Sequence, residues 1–309
     1  MIKAEILADS INLCGDRITT FKLVMPRIVL AEFNTHRMFS RNSASSRAIP
    51  FEKMLRSVLD NPFIPIKWMK DHKGMQGNEY FTEDGHELRD KEEGFLNDVH
   101  YLKCRWASAK HNAVAEALRL SEAGVTKQFC NRLLEPFMWH TVICTATEFE
   151  NFFALRAHEA AELHIQDLAY KMLDVYNTST PKKLNIGEWH IPFGDQMDEE
   201  ALKKLMNESG LPDLDGKQLE RLKLRVATAR CARVSYTVVG EEGKPDDYKK
   251  DVDLHDRLLM SGHLSPFEHC AQVRHPDMVE WSGNFKGWTQ YRKTLTGENQ
   301  SDERVIKLM

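Results

Sequence analysis

The segment with the most chemistry per residue is Thr35-His-Arg-Met-Phe-Ser-Arg-Asn-Ser-Ala-Ser-Ser-Arg-Ala-Ile-Pro50. No acidic residue lies between Phe33 and Phe51, while Arg37, Arg41 and Arg47 alternate with Ser40, Ser43, Ser45 and Ser46. Arginine offers a planar fork to phosphate oxygens, and serine hydroxyls complete such a shell. The pattern suits a phosphate ester held without a glycine-rich turn; it is neither a P-loop nor a dinucleotide fingerprint. The bland alternative is a solvated basic loop that ends in a serine N-cap. A second candidate is Arg156, which falls with Phe149, Phe152, Phe153, Ala160 and Leu163 on one apolar stripe at three- and four-residue spacing. A guanidinium there needs an anion or a ring of acceptors. It could equally snorkel or pair with a core carboxylate. A third is Gly124-Val-Thr-Lys-Gln-Phe-Cys-Asn-Arg-Leu-Leu-Glu-Pro136, either a polar cluster after a helix stop or a second helix with a polar face.

His255, His263, His269 and His275 with Glu268 and Cys270 match no tight zinc spacing, so no metal is expected. Cysteines 14, 104, 130, 144, 231 and 270 form no CxxC pair, which points to a reducing, cytoplasmic setting. The N-terminus lacks the apolar core of a signal peptide, and no apolar run would span a membrane. A net charge of −4 over 309 residues gives no basic field for a nucleic-acid polymer.

Residues 1–33 read as strands, including Ile18–Pro26 and Ile28–Phe33, with Pro26 ill-suited to a central strand position. A helix is expected from Tyr101 to Ala123, stopped by Gly124, and another over 147–177. Residues 60–100 read as a surface excursion, and 240–251 as a polar loop. Ser265-Pro266 reads as a helix start. In the tail, Trp288, Tyr291, Arg292 and Lys293 pair rings with charge and are expected to close over a ring-plus-phosphate ligand, or else to fray.

Four segments together resemble the flavin-dependent thymidylate synthases. His36-Arg37 with Ser45 and Arg47 is similar to that family's Arg-His-Arg, seven residues, Ser, and Arg two further on. Phe152-Phe-Ala-Leu-Arg-Ala resembles its Leu-Arg-Ala helix. Ala229-Arg-Cys-Ala-Arg-Val-Ser and Gly262-His-Leu-Ser-Pro-Phe-Glu-His resemble its opening segment. Those last two stand near the C-terminus here, so the resemblance implies a circular permutant in which 226–309 corresponds to the family's N-terminal part. It implies an α+β fold, a mixed, largely antiparallel sheet with long helices, forming one catalytic domain over 1–309 with insertions or connections at 52–100 and 178–225.

Carried over residue by residue, the resemblance assigns FAD to His36, Arg37, Met38, Asn151, His263 and Ser265. It assigns the nucleotide to Glu32, Ser43, Ser45, Ser46, Arg47 and Arg132, or Asn131 if the alignment slips by one. Arg156 would contact the pyrimidine and stabilise charge at N3, its anion arriving with the substrate. Methylenetetrahydrofolate and NADPH would be co-substrates, dUMP would become dTMP, and the site would be built in a homotetramer. The chain departs from the pattern at Thr35, Ser43, Thr145, Thr147 and Ala160, and has Glu32 where the family has Gln. These departures motivate a hydroxymethylase of dUMP or dCMP, or a nucleotide-binding remnant without flavin, as alternatives. An ionised Glu32, which only accepts hydrogen bonds, further suggests a shift from uracil to cytosine.

Overall fold

The computed structural model describes residues 1–74, 77–88, 97–209, 216–239, 247–278 and 280–298. It opens with β1 (Lys3–Ile11) and β2 (Arg17–Pro26), then α1 (Leu30–Phe33), β3 (Ser40–Ser43), α2 (Phe51–Asp60), α3 (Asp98–Glu122) and α4 (Lys127–Leu134). Next come β4 (Trp139–Ala146), α5 (Glu150–Arg156), α6 (Leu163–Thr178), β5 (Lys182–Lys183) and β6 (Trp189–His190). The chain continues through α7 (Glu199–Glu208), α8 (Gln218–Arg233), α9 (Tyr248–Met260), β7 (Ala271–Val273) and β8 (Trp288–Gln290). The main sheet runs β3-β4-β2-β1-β5, antiparallel except for the β1–β5 pair, and a small antiparallel sheet runs β6-β7-β8. This is the α+β architecture expected.

The register Phe21↔Cys144 and Leu23↔Val142 puts apolar residues of β2 and β4 on one face. There they pack with Phe149, Phe152, Ile165, Leu168 and Met172 of α5, α6 and the turn before α5. The other face carries Thr20, Ile143 and Thr145 and is covered by α8 and the small sheet. Both faces of β2 are therefore buried, which its near-continuous apolar run requires. Pro26 is tolerated because it is the last residue of β2; Arg27 N–H, just beyond it, donates to the Met138 carbonyl at 3.0 Å.

Several expectations are corrected. Ile28–Phe33 is not a strand but a 3-10 turn, Arg27–Val29, followed by α1. Val29, Leu30 and Phe33 are buried while Ile28 is exposed, which is helical spacing; a strand would have buried Glu32 with Ile28 and Leu30. The helix expected over 147–177 is two helices, because Glu162 caps α6 by accepting from His164 N–H at 2.9 Å and Ile165 N–H at 3.2 Å. Arg156 is thus the last residue of α5, and Ala160 and Leu163 do not share its face. The polar loop ends earlier than read, since α9 starts at Tyr248; residues 240–246 lie outside the described residues, as do 75–76 and 89–96 of the 60–100 excursion. α3 ends as expected at Gly124, whose φ of +80° lets Val125 N–H reach the Leu120 carbonyl at 2.9 Å.

Over the described residues, the tail segment from Gly283 to Lys293 packs into the fold. Trp288 is fully buried with Ile18, Leu184, Val273 and Phe285, and its Nε1–H donates to the Asp16 carbonyl at 3.2 Å. Tyr291 packs on Phe267 and Trp189, and Arg292 pairs with Glu268 at 2.6 Å. Gly287 is needed at this seam: its φ is +74°, and a Cβ there would stand 2.3 Å from Asp16 Oδ2.

Candidate functional site

β3 is an edge strand, and its two ends carry two polar groups about 10 Å apart along the strand. Before β3, α1 and its turn present Glu32 and His36. Thr35 N–H and Oγ1–H both bond the Glu32 carbonyl, at 3.0 and 2.7 Å. Arg41, half-buried, donates to the Asn34 carbonyl at 2.9 Å and the His36 carbonyl at 3.3 Å. Arg41 is therefore a staple of this turn rather than a phosphate ligand, a role its place among the basic residues did not reveal.

Arg156 reaches this turn from the end of α5, where the helix dipole favours a cation. Its Nη1 forms an ion pair with Glu32 Oε1, and its Nε–H donates to His36 Nε2 at 3.1 Å. Arginine only donates, so His36 must accept through Nε2 and carry its proton on Nδ1. Burial, then the charges of Arg156 and Arg41, push the His36 pKa down to about 4. The ring is fixed edge-on to Phe152 at 4.9 Å and stacked on Phe39 at 5.8 Å. The expectation that Arg156 waits alone for a substrate anion is corrected: Glu32 already neutralises it. The side chains of Arg156 and Glu32 keep 21% and 32% of their surface in solvent, so the pair stays open to a ligand.

The end of β3 at Ser43 and the loop beyond it, carrying Ser45, Ser46 and Arg47, are held through their backbone. Ala44 N–H donates to the Thr141 carbonyl at 2.9 Å, Ser45 N–H to the Ser235 carbonyl at 3.3 Å, and Lys127 Nζ to the Ala48 carbonyl at 2.9 Å. Ser235 Oγ returns a bond to the Ser43 carbonyl at 3.3 Å. Asn131, fully buried on α4, uses its amide hydrogens on the Ser46 and Ile49 carbonyls at 2.8 and 3.0 Å. Asn131 thus shapes the loop, while the neighbouring Arg132 and the loop's Arg47 are exposed. Residues 124–136 are a cap and a helix, Thr126 accepting from Gln128 N–H.

Of the residues assigned to flavin, Arg37 and Met38, next to His36 in the chain, are exposed, as is Asn151 in the first turn of α5. Asn284 of the tail donates to the Met38 carbonyl at 2.8 Å and accepts from Ser40 Oγ at 3.1 Å. Ser265 and His263 are exposed on the 3-10 segment Ser265–Glu268 and the turn before it. The Asn42 amide can donate to Ser265 Oγ at 3.2 Å, and Arg41 senses both Arg37 and Glu268. An unburied guanidinium with amide and hydroxyl groups offers donors that fit a diphosphate, and the exposed Met38 thioether offers an apolar contact for a ring.

Thr145 and Thr147, at positions where the resemblance implies Asn and Arg, face inward. Thr145 Oγ1 bonds Thr20 Oγ1 at 2.7 Å and His269 Nδ1 at 2.9 Å, and Thr147 Oγ1 accepts from Lys286 N–H at 3.1 Å. Among the described residues, no group of three or more His, Cys, Asp or Glu side chains is placed to share a metal, and no helix is long and apolar enough to cross a membrane.

Residues 18–182, more than half of the chain, match the family described as thymidylate synthase complementing protein. No curated protein matches the chain. One solved structure similar to it is a UMP/dUMP methylase, PolB, from Streptomyces cacaoi, bound with 5-Br UMP. The identity is 15%, the alignment covers 57% of this chain and 88% of that one, and the TM-score is 0.39. Glu32, His36, Ser45, Arg47 and Arg156 all lie inside the family match, and the chain belongs to the thymidylate synthase complementing protein family, the flavin-dependent thymidylate synthase family, whose activity is pyrimidine-nucleotide methylation.

Proposed function

We propose that the protein transfers a one-carbon unit from methylenetetrahydrofolate to C5 of a pyrimidine deoxynucleotide, with FAD bound and NADPH as electron donor, dUMP to dTMP being the reference reaction. The observation that supports this most is Arg156, positioned by Glu32 and His36 at a half-open site within the family match. A new C5–carbon bond requires an electron-rich C5. Arg156 favours it by stabilising negative charge as it develops at N3 and O2. The bond from the methylene carbon to folate nitrogen breaks, and the C5 proton leaves. Hydride that completes the methyl group is the chemistry FAD supplies when bound. His36, Arg37, Met38, Asn151, His263 and Ser265 would hold it. Ser43, Ser45, Ser46, Arg47 and Arg132 would hold the nucleotide, with Asn131 keeping their loop in shape.

The segments Ala229–Ser235 and Gly262–His269 lie outside the family match yet pack against β3 and β4. This supports reading 226–309 as the displaced N-terminal part of a permuted domain. Six free cysteines suit a cytoplasmic setting. The separation of the two polar groups suits a site completed in a homotetramer. A hydroxymethylase, in which water replaces hydride, is favoured by one observation: Thr145 and Thr147 face the interior and leave fewer groups for flavin.

The test has two stages. Purified protein should show a flavin absorbance spectrum near stoichiometry; a colourless protein would point to a nucleotide-binding remnant. Product mass after incubation with methylenetetrahydrofolate and dUMP or dCMP then separates methyl from hydroxymethyl transfer.

A further inference from the structure

We infer that the Glu32–Arg156 pair selects cytosine over uracil, making a cytosine deoxynucleotide the preferred substrate; this rests on the proposed contact between Arg156 and the N3–O2 edge. Each member of the pair retains one open function. Among the described residues, Glu32 Oε2 and Arg156 Nη2 take no partner, whereas Oε1 and Nη1 are joined to each other and Nε is bound to His36. The pair therefore presents an acceptor beside donors, and its spacing is set before any base arrives.

Cytosine offers the complementary edge. Its C4 amino group donates, and its N3 and O2 accept. With Arg156 at N3 and O2, the Glu32 carboxylate stands next to position 4, where it accepts from the amino group. Uracil in the same register turns a carbonyl oxygen toward that carboxylate, and its N3 accepts from the guanidinium only after losing its proton, so one contact is repulsive and the other carries a deprotonation cost that cytosine avoids. Shifting uracil by one position pairs N3–H with Glu32 but removes Arg156 from N3, where the proposed chemistry needs it. His36 cannot relieve the conflict, because its Nε2 is committed to Arg156 and its ring is clamped by Phe39 and Phe152.

The test is equilibrium titration of the protein as purified with dCMP and with dUMP, repeated on Glu32→Gln and Glu32→Asp. The parent should bind dCMP about tenfold more tightly than dUMP, the scale of one well-made base contact. Glu32→Gln can donate to the uracil carbonyl, and should move the ratio about tenfold toward dUMP. Glu32→Asp keeps the carboxylate and should keep the preference, which separates recognition from damage to the turn. A parent that prefers dUMP, or a ratio unmoved by Glu32→Gln, overturns the inference while leaving pyrimidine binding intact. Failure of both nucleotides to bind overturns the inference and the proposed function together.

Discussion

Histidine occurs on both faces of the main sheet, in two environments that use it differently. On the α5 side, His36 belongs to a charged, half-open cluster with Glu32, Arg156 and Arg41 nearby. On the other side, Ser10, His190, Thr20, Thr145 and His269 form a sealed chain of hydrogen bonds at 2.9, 2.8, 2.7 and 2.9 Å. That chain has no charged member and joins β1, β2 and β4 to β6 and the segment before β7. Burial pushes His190 and His269 down to about 3, and burial with nearby cations takes His36 to about 4. The rings are neutral in both places for related reasons. Only the open one faces groups that a ligand could use. A buried neutral network specifies how two sheets meet, while an exposed ion pair can exchange partners.

The largest test of this contrast is Arg156→Ala. Turnover should fall about 10²–10³-fold with the melting temperature nearly unchanged, because the lost stabilisation belongs to the transition state. Near-normal turnover would remove Arg156 from the mechanism. Ser45→Ala and Arg47→Ala should each weaken nucleotide binding by about 10- to 100-fold, since a hydrogen bond to a charged group is worth about 1.5–3 kcal/mol. Separate flavin titration should show little change; a fall in flavin affinity alone would mean the two assignments are exchanged.

Thr145→Val should act on the fold instead. It leaves His269 Nδ1 without its partner in the interior, at a cost of about 1–3 kcal/mol, read from the midpoint of denaturant unfolding. Equal stability would show that the sealed chain does not pin the sheets.

Acid sharpens the comparison further. His190 and His269 have folded pKa values near 3, below the ordinary 6.5, so the unfolded chain binds protons first. Their contribution is complete above about pH 6.5 and is lost as pH falls toward 3. The slope approaches about 1.4 kcal/mol per pH unit for each histidine. His140, pushed down to about 3 by burial and then by the charge of Arg27, adds in the same direction. Unfolding free energy measured from pH 7 to 4 should decline accordingly, and a flat profile would contradict neutral burial. The smallest effect concerns His36, whose ring should not titrate by NMR above about pH 5 in the parent. In Arg156→Ala its pKa should rise, because the second cause of its depression has gone. An ordinary His36 titration in the parent would mean that the Arg156 contact does not hold in solution.

The amino-acid sequence determined much of this by itself. The acid-free run from Thr35 to Pro50 marked the loop, Gly124 marked the end of α3, and the spaced Arg37, Ser45, Arg47 and Arg156 marked the family. These are local patterns or fixed chemical identities, legible without knowing what packs on what. Tertiary structure decided the rest. Ile28–Phe33 satisfies strand and helix patterns alike, and only the end of β2 at Pro26 and the burial of Phe33 selected the helix. By spacing alone Arg156 needs an external anion, because the stripe runs on through Ala160; in the fold α5 ends before the Glu162 cap, and Arg156 meets Glu32, 124 residues away in sequence. Trp288 could not be read as core, because its neighbours Ile18 and Leu184 lie on strand β2 and just after strand β5. In each case the deciding contact is long-range, and its strength depends on burial, which no local spacing encodes.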